Sequence, residues 1–161
     1  SGGRLWFDRL TLKAPLVGKL LQKVVIAQFS RTLSTLVKSG VPILSAMEIV
    51  AKTAGNKVVE KAVLAARSSI KEGENIADPL TRSKIFPAMV TRMISVGERT
   101  GELEKMLGKI ADFYESEVDA AITGLTSLIE PLVISVLGVV IGGIVVALFL
   151  PIFQISTLVS H

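Results

Sequence analysis

The chain has 161 residues, half of them apolar, a mean hydropathy of +0.58 and a formal net charge of +4; one domain fits that length, and part of the apolar material is expected to face lipid. With no cysteine and a single histidine, His161 at the last position, the inventory excludes disulfides, thiolate-held metals, thiol nucleophiles, histidine triads and multi-histidine metal sites. Charge is uneven: residues 1–38 carry seven Lys/Arg against Asp8, a net of +6, whereas residues 102–130 carry seven acids against Lys105 and Lys109, a net of −5.

In chain order, Arg4-Leu5-Trp6-Phe7-Asp8-Arg9-Leu10 combines basic residues with the only tryptophan. Two readings stay open for residues 1–15: an interfacial amphipathic segment with Arg4, Arg9 and Lys13 at lipid phosphates, or packing of Leu5, Trp6 and Leu10 on the rest of the protein. The basic end lacks the aromatic interleaving of a strand-binding surface and matches no recognition motif, so membrane lipid, not nucleic acid, is its expected partner.

Leu21, Val25, Phe29, Leu33 and Leu36 then fall at helical spacing and stop at Gly40. Pro42 suits the first turn of a second helix with the stripe Ile43, Met47, Val50 and Ala54, ended by Gly55. Asn56 is the expected N-cap of a third, carrying Val59, Val63, Ala66 and Ile70 up to Gly73. Glu74 to Phe86 contains Pro79 and allows at most a short helix. Phe86-Pro87 opens a fifth through Met89, Val90, Met93 and Ile94 to Gly97. Leu103, Leu107, Ile110, Tyr114, Val118, Ala121, Leu125 and Leu128 keep the period in a sixth. No strand pattern or hairpin signal competes.

Pro131 to Ser160 is thirty residues without a charge. Its core, Pro131 to Leu150, would span about 30 Å as a helix, the thickness of a bilayer's hydrocarbon. Pro131, just after Glu130, is expected either to kink the sixth helix or to start a new segment. All eighteen Lys/Arg precede this segment, so its N-terminal side is expected in the cytoplasm. The expected layout is an all-α antiparallel six-helix bundle over 16–130, a transmembrane helix over 131–155 and a periplasmic tail over 156–161.

Gly97-Glu98-Arg99-Thr100-Gly101-Glu102-Leu103, then Met106-Leu107, Ala111-Asp112-Phe113-Tyr114-Glu115, Leu128-Ile129-Glu130-Pro131-Leu132 and Leu150-Pro151-Ile152-Phe153, occur in the order found in the second repeat of the PilC/GspF family. Phe29-Ser30-Arg31-Thr32-Leu33 and Ser39-Gly40-Val41-Pro42 fit that family's domain start, and the resemblance runs from about Leu16 to Phe153. It implies polytopic inner-membrane platform proteins with two helical cytoplasmic domains and three membrane helices, of which this sequence resembles the second domain and the last helix. It further implies a non-enzymatic scaffold of the type IV pilus machine, coupling a cytoplasmic assembly or retraction ATPase to the insertion or extraction of pilins, or the equivalent type II secretion protein acting on pseudopilins. Other inner-membrane machine subunits and a homo-oligomer are the further partners it implies. Tyr114-Glu115 with Glu117-Val118-Asp119, and the ending Leu150-Pro151-Ile152-Phe153, resemble the pilus members somewhat more than the secretion members.

Two rival classes bear on this. A transporter subunit would need several spans and ionisable residues within them, and Leu132 to Ser160 has none. Carboxylates at Glu98, Glu102, Asp112, Glu115 and Asp119 read as the solvated face of a helix, with a divalent-ion site as the alternative because some members of the resembling family bind calcium. No catalytic residue, cofactor or resident metal is expected, and the chain has no P-loop.

Three sets of residues stand out as interaction or structural positions. Gly138 and Gly142, a Gly-x-x-x-Gly pair beside Gly143, would let another membrane helix approach closely. Gly97 or Gly101 is expected to adopt positive φ while the Thr100 hydroxyl caps the sixth helix. Lys38, Lys71 and Arg99 are expected at one tip of the bundle, either offsetting helix C-terminal carbonyls or meeting an acidic surface on the motor.

Overall fold

The computed structural model describes the backbone of residues 17–159 and side chains from 18 to 151; residues 1–16, and with them the interfacial reading of 1–15, lie outside the described residues, as do 160 and 161. Among the described residues there are six helices and no strand: α1 Val17–Lys38, α2 Ile43–Thr53, α3 Lys57–Lys71, α4 Ala77–Arg82, α5 Ala88–Thr100 and α6 Leu103–Val159. Contacts divide the chain into two compact units, Ser1–Asp119 and Ala120–His161.

In the first unit the helical periodicities become one core. Ile26, Phe29 and Leu33 of α1 are buried with Met47 and Val50 of α2, Val59 and Val63 of α3, Leu80 of α4, Val90 and Ile94 of α5, and Leu107 and Ile110 of α6. Removing such a side chain from water stabilises the fold by about 1.5–3 kcal/mol. The Phe29 and Phe86 rings, 4.7 Å between centroids, tie α1 to the entry of α5.

Local signals account for the helix ends. The Asn56 side chain accepts hydrogen bonds from the backbone N–H of Val58 (2.8 Å) and Val59 (3.2 Å), capping α3. Pro42 takes the N-cap position of α2, one residue before the expected first turn, and its carbonyl accepts from Ser45 and Ala46. Pro79 is buried in the first turn of six-residue α4, where a missing N–H removes no helical hydrogen bond.

Burial is uneven along two of the stripes. In α5 the buried positions are Val90, Thr91, Ile94 and Gly97, and Met89 is exposed. Val90, Ile94 and Gly97 fall at i, i+4 and i+7 and set the buried face, from which Met89 is offset. In α6 burial ends near Val118: Leu125 and Leu128 keep the period but are exposed.

In the second unit, every large apolar side chain from Ile122 to Leu150 is at least 45% exposed. Its hydroxyls turn onto the helix's own carbonyls, Thr126 to Ile122, Ser127 to Thr123 and Ser135 to Pro131. The helix continues through Pro131 and Pro151 as far as Val159, so no new segment starts at Pro131. Among the described residues, α6 is the one helix long and apolar enough to cross a membrane.

Candidate functional site

The acidic face of α6 lies against α1. Lys23 Nζ meets Glu117 Oε2 at 2.7 Å, and Arg31 donates from Nε and Nη2 to the two oxygens of Glu115 at 2.8 and 2.9 Å. The Arg31 guanidinium also donates to Asp112, and Lys38 Nζ stands 3.9 Å from Glu104. Rising numbers on α1 meet falling numbers on α6, so the two helices are antiparallel here. Ser34 Oγ donates to the Glu104 carbonyl at 3.1 Å, and a Cβ on Gly108 would lie 3.6 Å from that hydroxyl.

These pairs are electrostatically coupled but wet. Hydrogen bonds from Arg31 hold the Glu115 carboxyl below the ordinary value, and donating to Glu115 and then to Asp112 raises the guanidinium further. Burial pushes the neighbouring Tyr114 hydroxyl up, with the Glu117 charge adding to it and Lys23 opposing. Exposed pairs of this kind contribute about 1 kcal/mol or less. Asp112 and Glu115 thus share one arginine, and among the described residues no three acids gather in a way that could hold a metal ion.

The corner between α5 and α6 divides its duties differently from the sequence expectation. Gly101 has φ +72° and is the left-handed cap of α5. Gly97 lies inside α5, buried, and a Cβ there would stand 2.8 Å from Leu103 Cα and 3.1 Å from Met106 Cγ. Its role is close approach of the two helices. The Thr100 hydroxyl donates back to the Val96 carbonyl at 2.8 Å, so Thr100 ends α5 and does not cap α6.

Glu98 supplies a contact that sequence reasoning missed. Its carboxylate accepts the backbone N–H of Ile76 at 2.6 Å and of Ala77 at 3.1 Å, satisfying the start of α4, which has no side-chain cap of its own. The sequence pointed elsewhere, because Asn75 just before Ile76 is a favoured cap type, yet the helix has no side-chain cap at its own first residues.

Lys38, Lys71 and Arg99 each occupy the last turn of a helix, α1, α3 and α5. The end of α1 meets the start of α6 through Ser34 and Lys38, and the end of α5 meets the start of α4 through Glu98. Lys38 faces Glu104 while remaining 74% exposed.

In the second unit, Cβ atoms added at Gly138, Gly142 or Gly143 would meet nothing within 4 Å. Glu130 is exposed immediately before Pro131, inside the continuous helix.

Comparison with known proteins adds the following. Residues 29–151 match the family described as type II secretion system (T2SS), protein F. The chain is 52% identical over 154 residues to the type IV pilus assembly protein PilC of Myxococcus xanthus, covering 96% of this chain and 37% of that protein. It is 49% identical over 154 residues to the type IV pilus assembly protein PilC of Thermus thermophilus, covering 95% and 38%. The type II secretion system protein F of Pseudomonas aeruginosa is 36% identical over 149 residues, covering 92% and 37%. The chain therefore spans less than two fifths of the length of these relatives.

Proposed function

The chain belongs to the type II secretion system protein F family, and from that premise we propose that it is part of a non-enzymatic inner-membrane platform of a type IV pilus machine. The observation that carries this reading is the gradient of identity: 52% and 49% to pilus assembly proteins against 36% to a secretion protein. In this role the first unit is the cytoplasmic bundle, the apolar helix anchors it in the inner membrane, and a separate ATPase supplies the energy for inserting or extracting pilins. The secretion relatives support a second reading, the same work on a pseudopilus.

The bare glycine face at Gly138 and Gly142 serves in this reading as the contact for another membrane helix, from a second copy or from another machine subunit. Lys38, Lys71 and Arg99 serve as cations presented toward the motor, in addition to offsetting the exposed carbonyls of their own helices. Orientation follows the positions of the eighteen Lys/Arg, all before the apolar run. A reporter fused after His161 should therefore read the periplasm and one after Gly73 the cytoplasm.

The decisive experiment is a graft. This chain, replacing the equivalent 154 residues of the Myxococcus xanthus relative, should restore pili to cells lacking that protein. A graft made at normal level and inserted in the membrane, yet giving no fibres, would count against the pilus reading.

A further inference from the structure

The two flanks of α6 within the first unit differ in how their charges are used. Toward α1, the acids Glu104, Asp112, Glu115 and Glu117 all face cations of α1. Toward α5 the surplus is positive. Arg92, Arg99 and Lys109 are exposed and stand outside the ion pairs found among the described residues, and Lys105 is paired with Glu102 at 3.2 Å.

Apolar groups lie between those cations. Met89, Val96 and Phe113 are 44%, 38% and 49% exposed, and Met93 and Met106 are half-buried beside them. Three of the four methionines thus lie on α5 and α6, while Met47 is in the core. The two helices meet at the corner, where Gly97 lies against Leu103 and Met106. Met89 is eight residues back along one helix and Phe113 seven residues on from Met106 along the other. At 1.5 Å per residue each stands about 11 Å from the corner along its own helix.

We propose that this α5–α6 face is a docking surface for an acidic amphipathic helix of a partner protein. The seam is about 11 Å long, the rise over which a helix presents anchors at i, i+3 or i+4, and i+7. Methionine side chains adapt to such anchors without a preformed pocket. The exposed Arg92, Arg99 and Lys109 complement negative charge around the apolar anchors, and a basic helix would be repelled. The inference deepens the platform reading, on which it rests for the partner being a machine component. The graft tests that reading through fibres, whereas the face is read directly below, so each fails separately.

The full chain, carrying ¹³C-methyl methionine, is placed in phosphatidylcholine nanodiscs, where its four methyl signals separate the seam from the core. An 18-residue helical peptide with leucines at i, i+3 and i+7 and glutamates elsewhere should shift Met89, Met93 and Met106 and leave Met47 unmoved. Arg92→Glu with Lys109→Glu should weaken that binding by about tenfold or more, and the Gln pair at the same positions should weaken it less. An unchanged Met47 signal shows each variant folded; a pair that unfolds is replaced by the single Arg92→Gln and Lys109→Gln variants. Equal binding of the same peptide with lysines for glutamates, no shift with either peptide, or full affinity in the charge variants would overturn the proposal. Shifts of the same signals by phosphatidylglycerol vesicles without peptide would overturn it too, by making the face a lipid contact.

Discussion

The two units are both rich in leucine, isoleucine and valine, and they dispose of them in opposite ways. In the first, charged or polar residues interrupt each stripe and the apolar side chains close on one another. In the second, Pro131 to Leu150 carries no charge, and its large apolar side chains are exposed. A helix with alternating solvents must choose a face to bury; a helix apolar all round needs one apolar solvent on every side. Apolar content therefore does not measure core size, and its period decides which solvent a segment was made for.

The sharpest way to break that comparison is the same truncation in both places. Leu107→Ala, at a fully buried site, should destabilise the bundle by about 2–5 kcal/mol, read by denaturant unfolding of the full chain in detergent. Leu137→Ala, at a side chain 52% exposed, should change the same transition by less than about 0.5 kcal/mol. Equal losses would mean that the second unit is packed in water like the first.

Glycines sharpen it next. Gly97→Ala places a Cβ 2.8 Å from the Leu103 backbone and should cost about 1–3 kcal/mol, whereas Gly138→Ala enters open space and should leave the bundle's melting temperature unchanged. Gly101→Val, at φ +72°, should cost about 1 kcal/mol or more through backbone strain. A Gly97 variant as stable as the parent would show that α5 and α6 separate freely.

Carboxylates give a smaller contrast. Glu98→Ala leaves the N–H groups of Ile76 and Ala77 without their acceptor and should cost about 1–2 kcal/mol, seen as faster amide exchange at the start of α4. Glu130→Ala should not alter that exchange. The smallest effect is the response to acid. Arg31 holds Glu115 below the unfolded value of 4.5, so its contribution is complete above that value and is lost as pH falls through the lower folded one. Because the pair is exposed, acidification should remove less than ~1 kcal/mol by this route, and Arg31→Ala should flatten that part of the pH profile.

Local chemistry was legible before any coordinates. Asn56 announced a cap, Gly40 and Gly73 announced stops, and the uncharged run after Pro131 announced a helix for lipid, because each acts within a few residues of itself. Glu98 gave no such notice, since its partners are 21 and 22 positions away and are backbone atoms common to every residue. The acids of α6 read correctly as an outward face, yet their pairing with Lys23 and Arg31 depends on an antiparallel register that no local pattern encodes. Gly97 and Gly101 stayed alternatives for positive φ for a related reason: a glycine needed for close approach and one needed for positive φ have the same letter, and tertiary packing alone separates them.

The α1–α6 seam also has a consequence for synthesis. Lys23 and Glu117 are 94 positions apart, and Arg31 and Glu115 are 84 apart. A chain emerging from its N-terminus makes four intervening helices before the last packing partner of α1, with Ile26, Phe29 and Leu33, is complete. Its last partner arrives with α6, and the residues that follow on the ribosome are those of the apolar unit. Closure of the bundle therefore waits for α6, the element that leads directly into the apolar unit.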